Sequence, residues 1–363
     1  MNQNEARNAG RSGNQNHDID SELEDLIEQR KADIKVVGTG GAGNNTISRL
    51  VDVGIEGCET IAMNTDAQDL LYANADKKVL IGKELTGGLG AGADPKVGEE
   101  SAKESQQKVK QSIDGADMVF ITCGLGGGTG TGSAPVIAEQ AKKQDALTVG
   151  IVTLPFEMEG RSRQENAEYG LERMEEVVDT LIVIPNDKLL EIVPDVSLNT
   201  AFKIADEILV NAVKGVTELV TKPGLVNLDF ADIRAVMGEG GIAMIGMGQS
   251  DTDSRATEAV QKALSNPLLD VDIEGGKGAL ANVTGGTSLS LNEAQEVVNT
   301  VSDKLSDSAK IIWGAQVRED MDDSLQAMII VTGVDSPQIY GPEKTHSDEY
   351  EEEIEEELGV EFI

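Results

Sequence analysis

A chain of 363 residues with 39% apolar content is long enough for two domains and a sizeable core. Its formal charge of −35 offers no Lys/Arg patch, which excludes the electrostatic footprint of nucleic-acid binding. Two cysteines outside any C-x-x-C pair, and no run approaching the ~20 apolar residues that span a bilayer, point to a soluble protein of a reducing cytosol, with no metal site and no direct membrane insertion.

Residues 1–32 read as a polar tail closed by a short helix in which Ile19, Leu23 and Leu26 share a face. From Ile34 the chain alternates strand, loop and helix, which predicts a doubly wound parallel sheet over 33–196. Ile34–Val37 reads as a strand, Gly38–Gly43 as a loop and Asn44–Val53 as a helix. Thr60–Met63 is a second strand ending in Asn64-Thr65-Asp66, and Val79–Ile81 is a third, followed by the loop Gly87–Gly92. Met118–Thr122 is a fourth strand. It runs into Gly124-Leu125-Gly126-Gly127-Gly128-Thr129-Gly130-Thr131-Gly132-Ser133, six glycines in ten residues. A helix is expected from Ala134, with Pro135 in its first turn. Leu147–Thr153 and Thr180–Ile184 supply two more strands. Across 197–222 the rhythm breaks: apolar residues recur every three or four positions over Ser197–Thr221, one long helix ended by Lys222-Pro223-Gly224. Such a helix reads as a spine between two domains. The stretch 223–335 alternates shorter elements and reads as an α+β domain, and 336–363 as an acidic tail.

A strand, a bare-backbone loop and a helix N-terminus together make an anion site, because outward N–H groups and the helix dipole both favour negative charge. Thr129 and Thr131 add hydroxyls to the Gly124–Ser133 loop. Gly38–Gly43 fits G-x-G-x-x-G, and Asp66 lies 23 residues beyond Gly43, where the acidic ribose contact of a dinucleotide fold could sit. Alone, that pattern also fits a tight turn with close helix packing. Three glycine loops at successive strand ends fit one mononucleotide with a long phosphate tail better than a dinucleotide. There is no G-x-x-x-x-G-K-[ST] and no lysine within a loop, so backbone dipoles and a Mg²⁺ ion would have to balance the phosphates.

Gly126–Gly132 resembles the signature of the tubulin and FtsZ family of filament-forming GTPases. Gly40-Gly41-Ala42-Gly43-Asn44-Asn45 resembles that family's first phosphate loop, Asn64-Thr65-Asp66 its second and Gly88-Leu89-Gly90-Ala91-Gly92 its third. Pro155-Phe156 with Glu159-Gly160 and Arg163 is similar to the ribose-side loop, Ile184–Leu190 to a further FtsZ segment, and Asn227-Leu228-Asp229-Phe230-Ala231-Asp232 to the catalytic loop after the central helix. The likeness runs from about residue 34 to 335 and is strongest to the archaeal FtsZ branch. It implies a GTPase domain, a long central helix and a second α+β domain. It also implies that GTP or GDP is held at the phosphates by Gly40–Asn45, Asn64, Asp66, Gly90–Gly92 and Gly127, Gly128, Thr129, Gly130, Thr131 and Gly132. Glu159 and Arg163 would sit at the ribose, and Asn186 and Asp206 at the guanine. Each of these last charges also fits an exposed residue or a helix-surface ion pair.

No convincing general base accompanies the phosphate loops. Asp229 and Asp232 lie beyond a 25-residue helix, ~37 Å long at helical rise, so they are better placed to reach a neighbour's nucleotide than their own. A head-to-tail contact of this kind does not close and generates a filament. The resemblance implies the same arrangement, with Asn227, Asp229 and Asp232 positioning the water, and a role in a cell-division ring at midcell. Asp229 and Asp232 equally fit an Asx turn and a helix N-cap. In the tail, Leu358, Val360, Phe362 and Ile363 fit the anchors of a docking peptide for a membrane-tethering adaptor, which the resemblance makes SepF-like; the bland alternative is a solvated acidic brush. Two rivals stand beside this reading: an NAD-dependent dehydrogenase using the Gly38 loop, and a non-hydrolysing polymer.

The segment 343–363 holds ten acidic residues and one basic, a charge of −9, so −26 falls on the remainder of the chain. So acidic a surface suits a salty cytoplasm, where screening relieves self-repulsion. The melting temperature is expected to rise with KCl; no stabilisation by salt would contradict this.

Overall fold

The computed structural model describes residues 32–192, 198–221, 225–226, 228–238, 240–269, 273, 275–306 and 308–334. The N-terminal helix around Leu23, the Lys222-Pro223-Gly224 stop, Asn227 and the acidic tail lie outside them. In chain order, β1 (Ile34–Thr39) leads to α1 (Gly40–Val53), β2 (Cys58–Asn64) to α2 (Ala67–Tyr72), and β3 (Lys77–Leu80) to α3 (Lys83–Thr86), α4 (Pro95–Glu104) and α5 (Gln106–Ser112). There follow β4 (Met118–Gly124), α6 (Thr129–Lys142), β5 (Leu147–Leu154), α7 (Arg161–Glu175), β6 (Thr180–Pro185), α8 (Asn186–Ile192) and α9 (Leu198–Thr221). The last group is α10 (Phe230–Met237), β7 (Gly241–Ser250), α11 (Arg255–Leu264), β8 (Gly278–Gly285), α12 (Leu291–Ser302), β9 (Lys310–Val317) and β10 (Leu325–Thr332).

All ten strands belong to one sheet, in the order β3-β2-β1-β4-β5-β6-β7-β10-β8-β9. From β3 to β7 every pairing is parallel. β10 then runs antiparallel to both β7 and β8, and β8 pairs parallel with β9. The 3-2-1-4-5-6 order is that of doubly wound nucleotide folds, with its topological switch between β1 and β4. The later strands do not form a separate sheet. They extend the first through a short junction, Thr180–Gly241, Leu181–Ile242 and Ile182–Ala243.

Helices cover both faces, so the central strands are buried on both sides and read as unbroken apolar runs rather than alternating ones. One face packs Ile47 and Leu50 of α1, Leu209, Val213 and Val216 of α9 and Ile233 of α10. The other packs Val109, Ile137, Leu171, Val260 and Val297. The α9 helix lies under both parts of the sheet: Gly215 abuts Met328 of β10 and Asn282 of β8, while Ile208 and Leu209 share a core with Val149 and Ile151 of β5.

Two helix starts differ from the sequence expectation. β1 continues to Thr39 and α1 begins at Gly40, not Asn44. α6 begins at Thr129, not Ala134, and Pro135 lies inside it. Glycine propensity argues for loop at both places; packing overrides it. A Cβ on Gly132 would collide with the Pro95 carbonyl, so α6 and α4 touch backbone to backbone there. Gly132→Ala is therefore expected to destabilise the fold by about 1–3 kcal/mol, despite the better helix propensity of alanine. Urea denaturation would measure it; an unchanged midpoint would refute the contact.

Candidate functional site

The N-termini of α1 and α6 meet at the switch point. Gly40 has φ +72°, and a Cβ on it would lie 2.8 Å from the Gly130 nitrogen. Only glycine allows both that backbone conformation and that approach. The other loops close in on the same place. Thr65 Oγ1 and Thr129 Oγ1 are hydrogen-bonded at 2.6 Å. Gly90 N donates to Thr65 O at 3.3 Å, Ala67 N to Gly88 O at 3.0 Å, and Asp66 pairs with Leu89 as an isolated bridge. A Cβ on Gly128 would sit 2.9 Å from the Ala91 Cβ, so the third loop leans on the signature. By contrast Gly127 and Gly92 face open space, and the nearest neighbour at Gly41 is Asp69 Oδ2, 3.4 Å from where a Cβ would stand. The signature glycines thus divide into those that let loops nest and those that leave room above the backbone. First-turn N–H groups of two helices converge in one concave cradle, a geometry that favours negative charge.

Several expected contact residues turn inward instead. Thr131 is fully buried, and its Oγ1 accepts from Gly126 N at 2.9 Å. Asn44 and Asn64 are buried as a pair. With its nitrogen facing Gly38 O and Met63 O at 3.1 and 3.2 Å, the Asn44 amide accepts from Asn64 Nδ2 at 3.0 Å. Asn64 Oδ1 in turn accepts from Asp66 N at 3.2 Å. Asp66 uses its carboxylate to cap α2, accepting from Gln68 N and Asp69 N. These groups brace the loops from below. Asn45 is exposed at the start of α1.

At the rim, Glu159 and Arg163 form an ion pair at 3.1 Å, and Glu159 Oε1 accepts from Phe156 N at 3.0 Å. Asn186 is buried, and its Oδ1 has no hydrogen-bond partner among the described residues. Burial pushes the Asp206 carboxyl up to about 6, aided by Glu207 and opposed by Arg49. Phe202 was not anticipated. It precedes Asp206 by one turn of α9, packs edge-on against Phe156 with ring centres 5.2 Å apart, and leaves 38% of its surface exposed. Its signal in the sequence is rarity: only five phenylalanines occur in the chain.

The acidic loop lies at the opposite edge of the sheet. Asp229 caps α10, its Oδ1 accepting from Asp232 N at 2.9 Å. Asp232 is exposed, and its carboxylate makes no hydrogen bond or ion pair with the described residues. Arg234, on the same helix, reaches the carbonyls of Asp117 and Asp145, both at 3.4 Å. Thr180 Oγ1 donates to Met237 O at 2.5 Å. Asp117, Asp145 and Thr180 lie just before or at the starts of β4, β5 and β6, whereas the glycine signature begins where β4 ends. The seven residues of β4 therefore separate the two features by roughly 23 Å.

Burial raises both thiols to about 12, with Asp76 contributing at Cys58, so neither is a nucleophile at neutral pH. Among the described residues no group of three or more His, Cys, Asp or Glu could hold a metal ion, and no helix is long and apolar enough to cross a membrane.

Residues 33–194 match the model of the tubulin/FtsZ family GTPase domain, and residues 241–335 match the FtsZ family C-terminal domain. Cell division protein FtsZ 1 of Thermococcus kodakarensis is 60% identical over 336 residues, 93% of this chain and 90% of that protein. Cell division protein FtsZ of Methanothermobacter thermautotrophicus is 54% identical over 366 residues, 99% of this chain and 96% of that one. The solved structure of an empty FtsZ dimer from Methanocaldococcus jannaschii superposes with a TM-score of 0.84 at 60% identity, covering 86% of this chain and 92% of that chain.

Proposed function

The chain belongs to the tubulin/FtsZ family, and from that premise we propose that it is a GTPase of the cell-division ring that polymerises head to tail, each active site being completed by the next subunit. One observation carries the shared site. The phosphate cradle and the acidic loop occupy opposite edges of one sheet, roughly 23 Å apart along β4, so Asp232 does not reach its own nucleotide.

In this reading the N–H groups of Gly41–Asn45 and Gly127–Gly130 bind the phosphates, with Gly90–Gly92 closing from the side. The Thr65–Thr129 hydroxyl pair sets the distance between the second loop and the signature. Mg²⁺ would arrive with the nucleotide: lacking a carboxylate cage among the described residues, it would take phosphate and water oxygens, as that ion commonly does, and neutralise charge the backbone does not. Glu159 and Arg163, already paired, present one acceptor and one donor group at the ribose side. The unpartnered Asn186 Oδ1 and the Asp206 carboxylate are acceptors for the N–H groups of guanine, and Phe202 offers it a face. Asn227, Asp229 and Asp232 of one subunit enter the cradle of the next. Asp229 is half committed to its cap, which fixes the loop; Asp232 is free to accept a proton from water and orient it on the terminal phosphate. A tail peptide bearing Leu358, Val360, Phe362 and Ile363 would tether the filament to a SepF-like adaptor at the membrane of a cytoplasmic ring.

Asp232→Ala is expected to bind GTP normally and lose at least ~100-fold in turnover, the scale of a removed general base. Mixing it with Gly40→Val, which cannot bind nucleotide but carries an intact loop, should restore phosphate release. Mixtures no more active than either variant alone would place the whole site within one chain.

The guanine contact has a sign. In the free protein Asp206 protonates as pH falls through about 6, and only the ionised form accepts two guanine donors. Binding favours the carboxylate, so GDP affinity should fall roughly tenfold per pH unit below 6. The same raised value means that charged Asp206 costs folding stability, a cost that grows as pH rises from the unfolded value through about 6. Asp206→Asn should flatten the binding profile; a pH dependence identical to wild type would remove Asp206 from the base pocket.

A further inference from the structure

Beside α10, at the base of the sheet, lies a hollow of about 390 Å³ lined by Leu147, Asp179, Arg234, Ala235, Gly238 and Lys310. Its one carboxylate is already spoken for: Asp179 Oδ1 is paired with Lys142 at 3.4 Å, and Oδ2 accepts from Thr148 N at 2.8 Å. Lys310 is exposed and forms no ion pair with the described residues. The same holds for Lys277 on the neighbouring strand start, whose stem covers Gly333. In a chain with 65 acidic and 30 basic residues, cations left uncompensated around a concave surface need an anionic partner to explain them.

The chain itself leaves the sheet here. β10 ends at Thr332, whose carbonyl accepts from Lys277 N at 2.9 Å, and Lys310 N donates to Lys277 O at 3.2 Å. Val334 N is held by Ile242 O at 3.4 Å. β9, which begins at Lys310, is two strands from β10, so the exit lies roughly 10 Å from the hollow. Sixteen residues then separate Val334 from Glu351-Glu352-Glu353-Ile354-Glu355-Glu356-Glu357, six carboxylates in seven residues. Sixteen residues reach at most ~55 Å, which exceeds the gap, and tethering within one chain sets an effective concentration on the order of millimolar.

We infer that Glu351–Glu357 docks intramolecularly on the Lys310–Arg234 hollow, with Lys277 beside it on the neighbouring strand start. Its occupant is this chain's own tail, chosen by charge complementarity and by the place where the tail emerges. Docked there, it lies against the helix that carries Asp232. On the head-to-tail reading above, it therefore competes with the next subunit and restrains assembly at low ionic strength. Adaptor capture of the terminal apolar residues would release it.

Zero-length carbodiimide cross-linking of the full-length protein tests the contact without reference to GTP. A mixture of isotope-labelled and unlabelled chains separates bonds within one molecule from bonds between two. Within-chain links from Lys277 and Lys310 to Glu351–Glu357 are expected in 50 mM KCl and should fall roughly tenfold in 1 M KCl, where the Debye length is about 3 Å. A full-length variant with those six glutamates changed to Gln leaves the folded body intact. It should lose the links and assemble at a critical concentration roughly fivefold lower in 50 mM KCl, with the difference gone in 1 M KCl. Lys277→Glu with Lys310→Glu should do the same. Links that are absent, that join only different molecules, or that persist in high salt would overturn the docking. Links that behave as expected while assembly is unchanged would keep the docking and remove its competition with the next subunit.

Discussion

In a parallel sheet all strand C-termini share one edge and all N-termini the other, and that polarity governs everything else in this protein. The parallel run from β3 to β7 places the glycine loops after β1 and β4 on one edge, with the loops after β2 and β3 beside them. It leaves the opposite edge to whatever the chain brings back there. The α9 helix, 24 residues and ~36 Å long, is what brings the chain back: near its start Phe202 packs against Phe156, and it ends near the foot of the sheet, where Thr221 meets the Glu56 carbonyl. The acidic loop then follows at the foot, where Arg234 and Met237 are tied to the starts of β4 and β6. This topology keeps the two features at opposite edges and does not fold them into one cleft.

The cradle is held open by packing rather than by charge. Gly40 against Gly130, Gly128 against Asp94 and Gly132 against Pro95 are contacts between backbones, too close for any Cβ. They fix the first turns of α1 and α6 relative to each other, and the buried Asn44–Asn64 pair and Thr131 lock the loops from beneath. Removing one such brace would blunt binding without touching the ligand. No lysine lies in the glycine loops, so whatever attraction they hold for an anion comes from oriented N–H groups and the helix dipoles.

Much of this was legible in the sequence. Glycine-rich loops placed between an apolar run and a helix announced both the sheet and the edge at which the loops converge, and the long three-four periodicity of 198–221 announced the long helix. What stayed hidden depended on three-dimensional packing. Gly98 and Pro95 look like unremarkable surface-helix residues, yet Gly98 lies against the Gly128 carbonyl and Pro95 against Gly132. The helical state of Thr129–Ser133 contradicts local propensity and is imposed by α4. Arg234 reads as one more exposed charge until its two carbonyl partners, 117 and 89 residues away in sequence, are seen. The continuity of the sheet through Thr180–Gly241 was also invisible, since a three-residue junction leaves no pattern to read.

That junction bears on how the two ends of the molecule are joined. β6 joins the later strands through three residue pairs, while α9 contacts both sides through Gly215 and Leu209. The joint is narrow, but the core on each face runs across it: Ile182 and Ile184 of β6 pack in one cluster with Ile245 of β7 and Ile330 of β10, and Leu181 and Val183 in the other with Met244 and Ile329. Arg234 adds a polar tie across it, because its carbonyl partners belong to the segments leading into β4 and β5. The helix that carries Asp232 is thereby tied to two strands whose other ends lead into the Gly124–Ser133 loop and the Pro155–Arg163 segment. The acidic loop and the glycine loops are thus mounted at opposite ends of one frame.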